Sequence, residues 1–499
     1  MSINRELNRL LSFALRAELI EESEAVYAAN QLIGLLKLPE FTREEVGAAP
    51  SSPTPILESI LDYAAEKKLI ENTQAQRDLF DTLIMGCLTP RPSAVIKRWR
   101  ELYAESPRQA TDYYYQFSIA TDYIRKSRTD RNISWKTATE FGDLDITINV
   151  SKPEKDPRDI AAAKLQPASG YPRCLLCREN EGFFGTLSHP ARQTLRLIPL
   201  KLGGEDWFLQ YSPYIYYNEH CIILKHEHVP MKISRRTFER LLDILDFLPH
   251  YFVGSNADLP IVGGSILSHD HYQGGRYRFA MDDAPMEKFY RPVVGGVEMG
   301  RVKWPMSALR LKSAAKPALV EAADLILTRW RGYSDAKADI LAESYGRPHN
   351  TITPIARKTG DGYELDLVLR NNRATPEFPL GLFHPHEDVQ HIKKENIGLI
   401  EVLGLAILPD RLIKELALLR QALAEGRADV ADQPDLEKHA HWYQELRPKL
   451  KDIPPDTLEE ELRHEVGLKF LRVLQDAGVF KRDEKGFIAF DRFVESLAK

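Results

Sequence analysis

The chain has 499 residues, of which 43% are hydrophobic and 28% charged, with a formal net charge of −5. That length exceeds one ordinary core and points to two to four globular units in water. The slightly acidic balance excludes bulk attraction to nucleic acid or to an anionic membrane, so an anionic substrate has to be met by local cations.

From Met1 to Glu6 there is no apolar core of a signal peptide. Between about Asn4 and Tyr123 the pattern is helical: Leu7, Leu10, Leu11 and Leu15 recur at three- and four-residue steps, as do Ile56, Ile60, Leu61 and Ala64. Gly47 to Pro55 reads as a loop between two helical groups. No chemical motif stands out here, and the region reads as a helical layer that covers a catalytic domain or builds a homodimer contact. After Trp135 the character changes. Leu144 to Val150 alternates as a strand with one buried face, and a charged linker, Ser151 to Asp159, follows. Tyr171-Pro172-Arg173-Cys174-Leu175-Leu176-Cys177 is a Cys-x-x-Cys knuckle. Strands are expected at Thr194 to Pro199, Trp207 to Ser212 and His220 to Leu224, then His226-Glu227-His228 and a helix from Arg235 to Phe247.

The chemistry is concentrated in Gly263-Gly264-Ser265-Ile266-Leu267-Ser268-His269-Asp270-His271-Tyr272-Gln273-Gly274-Gly275. In an extended segment His269, His271 and Gln273 line one face, with Asp270 and Tyr272 on the other. Two imidazoles and a carboxamide make a poor core stripe, because each needs a polar partner when buried. They suit phosphate handling: an imidazole to attack phosphorus, an amide to hold a phosphoryl oxygen, and glycines that let the ligand approach. A half-exposed strand with surface histidines is the plain alternative. The Cys-x-x-Cys pair is open to redox or metal chemistry, or to two ordinary thiols near a turn. Zinc would need two further donors, from His226 or His228 and from the central array.

Beyond Gly295 a second α+β unit is expected. It has strands at Val297 to Trp304, Asn350 to Ile355 and Leu365 to Leu369, and a helix from Ala314 to Trp330. The most apolar run, Ile397 to Pro409, is interrupted by Glu401 and too short for a bilayer. From Asp410 the tail is helical and charged (Leu412 to Leu423, Leu436 to Glu445, Leu458 to Leu474), broken at Pro454-Pro455, and reads as a solvated appendage. Four cysteines make no disulfide framework. A cytoplasmic protein is expected.

On these residues the chain resembles the galactose-1-phosphate uridylyltransferases of the histidine-triad-like superfamily. The match is best with their second, Gram-positive-type class, over essentially the whole length. The resemblance implies an α+β fold of tandem histidine-triad-like halves with antiparallel sheet, plus helical N- and C-terminal extensions. The expected division is 1–140, 141–294 with the catalytic motif, 295–409 and 410–499. In the first class the nucleophile is the second histidine of His-Pro-His-x-Gln. That carries onto His271, with Gln273 binding the phosphoryl group and Asp270 standing where that motif has proline. A zinc site is implied at Cys174, Cys177, His228 and His269, and no organic cofactor. Asn256, Ser268 and the Lys-x-x-Ile-Gly segment (Lys394, Ile397, Gly398) are implied to contact the substrate. The implied reaction moves a uridylyl group between UDP-glucose and galactose 1-phosphate through a uridylyl-histidine. Glutamine replaces the third histidine of the triad hydrolases, which favours transfer over hydrolysis. UDP-glucose, UDP-galactose and hexose 1-phosphates are then the partners, with neither nucleic acid nor membrane. Another nucleotidyltransferase such as a dinucleoside polyphosphate phosphorylase, or a metal-stabilised binding module without catalysis, are the competing readings. His384-Pro385-His386 copies the first-class motif more literally, but Asp388 stands where the amide donor is needed and would repel phosphoryl oxygens. His384 and His386 are therefore expected to orient ligand, to hold a second metal with His349, or to be satisfied polar residues.

Overall fold

A computed structural model describes residues 2–47, 50–151, 170–264, 266–360 and 362–498. Most of the linker expected at Ser151 to Asp159 lies outside the described residues, as does Ser265. The protein is α+β and divides into two units. One comprises Met1–Arg131, Ser151–Ile215 and Glu219–Val229, the other Asn132–Val150, Tyr216–Asn218 and Pro230–Lys499.

In the first unit the long helices of the described residues run Ile3–Arg16, Ala25–Leu36, Thr54–Glu66, Gln74–Gly86, Pro92–Glu105 and Pro107–Ala120. The apolar spacing decides which faces turn inward: Leu7, Leu10 and Leu11, and Ile56, Ile60, Leu61 and Ala64, are all buried. The helices lean on three antiparallel strands, Ile198–Leu202, Glu205–Tyr211 and Cys221–Lys225. Tyrosines tie the layers together. The Tyr123 hydroxyl donates to the Tyr211 carbonyl (3.1 Å), and the Tyr211 hydroxyl to the Thr111 carbonyl (3.0 Å). The first strand lies four residues later than Thr194 to Pro199 predicts. Gly203-Gly204, with φ of 54° and 84°, makes the two-residue hairpin turn that sets its end and pairs Leu202 with Glu205.

In the second unit strands pair antiparallel in the spatial order His271–Gly275, Phe252–Gly254, Asn350–Thr359, Gly362–Asn371, Ala308–Ser313, Glu298–Val302 and Met286–Tyr290. Asn350–Thr359 and Gly362–Asn371 outrun the predicted strands. They are buried on both faces yet keep polar residues at alternate positions, of which Glu364 and Asp366 are paired with Arg357 and Arg310. The helices Arg235–Phe247 and Lys316–Arg331 fall within two residues of expectation. A second sheet joins the hairpin Ile133–Thr139 and Gly142–Asn149 to Leu405–Pro409, which runs parallel to the second arm. The apolar run from Ile397 therefore splits into a short helix, Leu399–Val402, and this strand.

The tail is not a solvated appendage. Leu458, Leu462, Val466, Phe470, Val473 and Leu474 of the helix Leu458–Ala477 are buried in one core with Trp442, Tyr443 and the hairpin residues Leu144, Ile146 and Ile148. Most of its charges lie on the outer face, for example Lys449 on Glu465 (2.9 Å), while Glu415 and Asp476 are buried and paired with Arg411 and Arg472. A further helix, Glu484–Ser496, packs Phe490 and Phe493 against Phe480.

Candidate active site

The strand His271–Gly275 pairs with Phe252–Gly254, so that Gln273 lies opposite Gly254. His269 precedes this strand and is fully buried. The His271 imidazole, 5% exposed, makes a 2.8 Å hydrogen bond from Nδ1 to the carbonyl of His269. A carbonyl only accepts, so Nδ1 carries the proton and Nε2 keeps its lone pair. Burial holds the imidazole well below its ordinary value, to about 4, and therefore neutral near pH 7.

Gln273 lines a cleft of about 580 Å³ in the same unit, together with Tyr216, Asn256, Gly263, Gly264, Lys393, Asn396, Gly398 and Glu401. Asn256 is the pin of this cleft. Its Oδ1 accepts from the Leu399 backbone N–H (2.8 Å), and a Cβ on Gly264 would stand 2.2 Å from its Nδ2. Only glycine at 264 leaves Asn256 its place. Across the cleft Lys393 Nζ reaches Glu401 Oε1 and the Ile407 carbonyl, both at 3.0 Å. Burial opposes its charge, but Glu401 and Glu395 outweigh that and raise its pKa. The Gly398 N–H donates to Glu401 Oε2 (3.1 Å).

Of the substrate residues expected from sequence, Asn256, Gln273 and Gly398 come together here. Ile397 is buried, and its carbonyl accepts from Arg370 Nη2 (2.9 Å). Ser268 and Lys394 are exposed and do not line the cleft. Tyr216, Lys393 and Asn396 were not expected in the cleft, since they lie in loops without a period to say which side chains turn inward. His384 is buried, and His386 Nε2 donates to the Leu382 carbonyl (3.1 Å). His349 bonds Asn372 Oδ1 (2.8 Å) and Ser344 Oγ (2.6 Å). Among the described residues no group of three ligating side chains includes any of these histidines.

In the first unit Cys174, Cys177 and His228 converge, with ligand atoms within 4.8 Å of one another. The two sulfurs are 3.5 Å apart, and His228 Nδ1 lies 3.1 Å from Cys177 Sγ. Zinc bonds of 2.0–2.3 Å in a tetrahedron put neighbouring donors roughly 3.4–3.8 Å apart, so these two separations fit with shifts of tenths of an ångström. The Leu176 N–H points at Cys174 Sγ (3.4 Å). Asn180, which sequence reading missed, ties the knuckle from behind by donating to the Cys174 and Cys177 carbonyls (both 2.8 Å). An asparagine three residues past a Cys-x-x-Cys turn is the signal that could have found it.

The models of the N-terminal and C-terminal domains of galactose-1-phosphate uridyl transferase match residues 18–230 and 244–444. The chain is 59% identical to the galactose-1-phosphate uridylyltransferase of Clostridium acetobutylicum, over 99% of this chain and all of the relative. It is 49% identical to that of Bacillus subtilis, over 100% and 98%. Among solved structures, yeast Ap4A phosphorylase Apa2 aligns with a TM-score of 0.32 and 13% identity, over 64% of this chain and 96% of that one. With both domain models matched in order and relatives this similar along their full length, the chain belongs to the galactose-1-phosphate uridylyltransferase family.

Proposed function

We propose that the protein exchanges a uridylyl group between UDP-glucose and galactose 1-phosphate in two steps through His271. In the first step Nε2 attacks the α-phosphorus of UDP-glucose. The N–P bond forms as the bond to the bridging oxygen breaks, and its electron pair leaves on glucose 1-phosphate. In the second step a phosphate oxygen of galactose 1-phosphate attacks the same phosphorus. The N–P bond breaks, its pair returns to Nε2, and UDP-galactose departs. Gln273 donates its amide N–H to a non-bridging phosphoryl oxygen without exchanging a proton. The covalent route divides one encounter of two anions into two easier displacements with ping-pong kinetics.

The observation that carries this reading is the 2.8 Å bond from His271 Nδ1 to the His269 carbonyl. It leaves Nε2 as the free nucleophile, two residues from an amide that lines the cleft. Cys174, Cys177 and His228 would hold one zinc ion. Its part is structural, adding to folding free energy.

The test is mass spectrometry of protein treated with labelled UDP-glucose. One uridylyl group is expected on the parent and on His386→Ala, and none on His271→Ala. A label on His271→Ala that is missing from His386→Ala would reverse the roles of the two halves, and no adduct on any of them would favour the non-catalytic binding module.

A further inference from the structure

Asp270 and Tyr272 flank His271 in sequence, Asp270 just before the strand His271–Gly275 and Tyr272 on its face opposite Gln273. Arg240, on the helix Arg235–Phe247, places Nη1 3.4 Å from Asp270 Oδ2 and 3.5 Å from the Tyr272 hydroxyl. All three are nearly covered, at 8%, 8% and 1% exposure for Arg240, Asp270 and Tyr272. A buried ion pair adds little net stability, because desolvation cancels most of the attraction. Its hydrogen bonds are directional, however, and hold backbone in register. Asp270 is the one residue between the His271 imidazole and the His269 carbonyl that takes its Nδ1 proton. The torsions at Asp270 therefore decide whether that bond can form.

We infer that Arg240 is a positioning residue for the nucleophile: gripping Asp270 and Tyr272 on either side of His271, it fixes the backbone that carries Nδ1–H onto the His269 carbonyl and aims Nε2. This rests on His271 being the nucleophile. Ser234, whose N–H donates to Thr237 Oγ1 (3.0 Å), starts the helix in place, and Phe238, Leu241 and Leu242 seat it in the core. The grip thus comes from a rigid element.

Three variants test it: Arg240→Met, Arg240→Met with Asp270→Leu, and Arg240→Met with Asp270→Pro. Both double variants remove Arg240 and Asp270 together, so they keep the test open if the single variant folds poorly. Only proline supplies a fixed φ in place of the lost grip, and Asp270 is not among the residues with positive φ. The readout is the single-turnover rate of uridylyl transfer from UDP-glucose onto the enzyme, per folded molecule by near-ultraviolet circular dichroism. Arg240→Met and the leucine double are expected to label roughly a hundredfold more slowly, with KM for UDP-glucose little changed. The proline double should recover to within about tenfold of the parent. Equal rates in the two doubles, or parent-like labelling of Arg240→Met, overturn the proposal. Failure of the underlying reading looks different: the parent itself would carry no label on His271.

Discussion

Gly264→Ala isolates the pin of the cleft. The new Cβ would stand 2.2 Å from Asn256 Nδ2 and 2.6 Å from its Cγ. An ordinary contact needs roughly 3.5 Å, so the carboxamide has to retreat by about 1.3 Å. That retreat breaks the buried 2.8 Å bond from the Leu399 N–H to Asn256 Oδ1. The lost bond costs about 1–3 kcal/mol and the overpacking about as much, for a total of about 2–6 kcal/mol. Urea unfolding of Gly264→Ala measures it, and KM for UDP-glucose should rise with it. The decisive comparison is the same substitution in an Asn256→Ala background. With the side chain gone there is nothing to strike, and Gly264→Ala should then cost less than about 0.5 kcal/mol. Equal costs in the two backgrounds would refute the reasoning.

Cys174→Ser and Cys177→Ser should each lose the one equivalent of zinc expected by elemental analysis of the parent and lower its melting temperature; a parent without metal rules the site out. Gly467→Ala would drive a Cβ to 2.0 Å from Thr137 Oγ1, where the helix Leu458–Ala477 crosses a strand. A loss of about 1–3 kcal/mol is expected, and a neutral result in denaturant titration would contradict that packing. Burial opposes the Asp366 carboxylate, but Arg357 and Arg310, whose Nε lies 2.7 Å away, outweigh it and depress its pKa. A depressed carboxylate stabilises above its unfolded value near pH 3.9, and that stability fades as pH falls through the lower folded value. Asp366→Asn should therefore destabilise at pH 7 by roughly 3–5 kcal/mol and flatten the acid limb of the stability profile, while an unchanged limb counts against the assignment.

The candidate site was more legible than the scaffold. His271 and Gln273 announce themselves by a spacing of two, because any extended segment sets such residues side by side whatever surrounds them. Cys174 and Cys177 do so through a local turn. Arg240 could not be found that way: its partner Asp270 lies 30 residues on, and a lone arginine on an amphipathic helix looks like solvated charge. Lys393 and Lys394 are adjacent in a loop, and only folding distinguishes the one that lines the cleft from the one that faces water. The charged tail misled because heavy charge on the outer faces of its helices hid the narrow stripes that build a core.

The hairpin Ile133–Thr139 and Gly142–Asn149 also bears on how the chain is made. The strand that completes its sheet, Leu405–Pro409, comes more than 250 residues later, and Trp135 Nε1 donates to the Arg463 carbonyl 328 residues ahead. A ribosome adding about 5–20 residues per second needs roughly 15–65 s to span that interval. For that time Leu144, Ile146 and Ile148 are outside the tunnel without the helix and strand that will cover them. A chain released early, even by the length of the last two helices, keeps this apolar ribbon open. Faulty synthesis therefore ends in chaperone capture or aggregation rather than in a shortened enzyme.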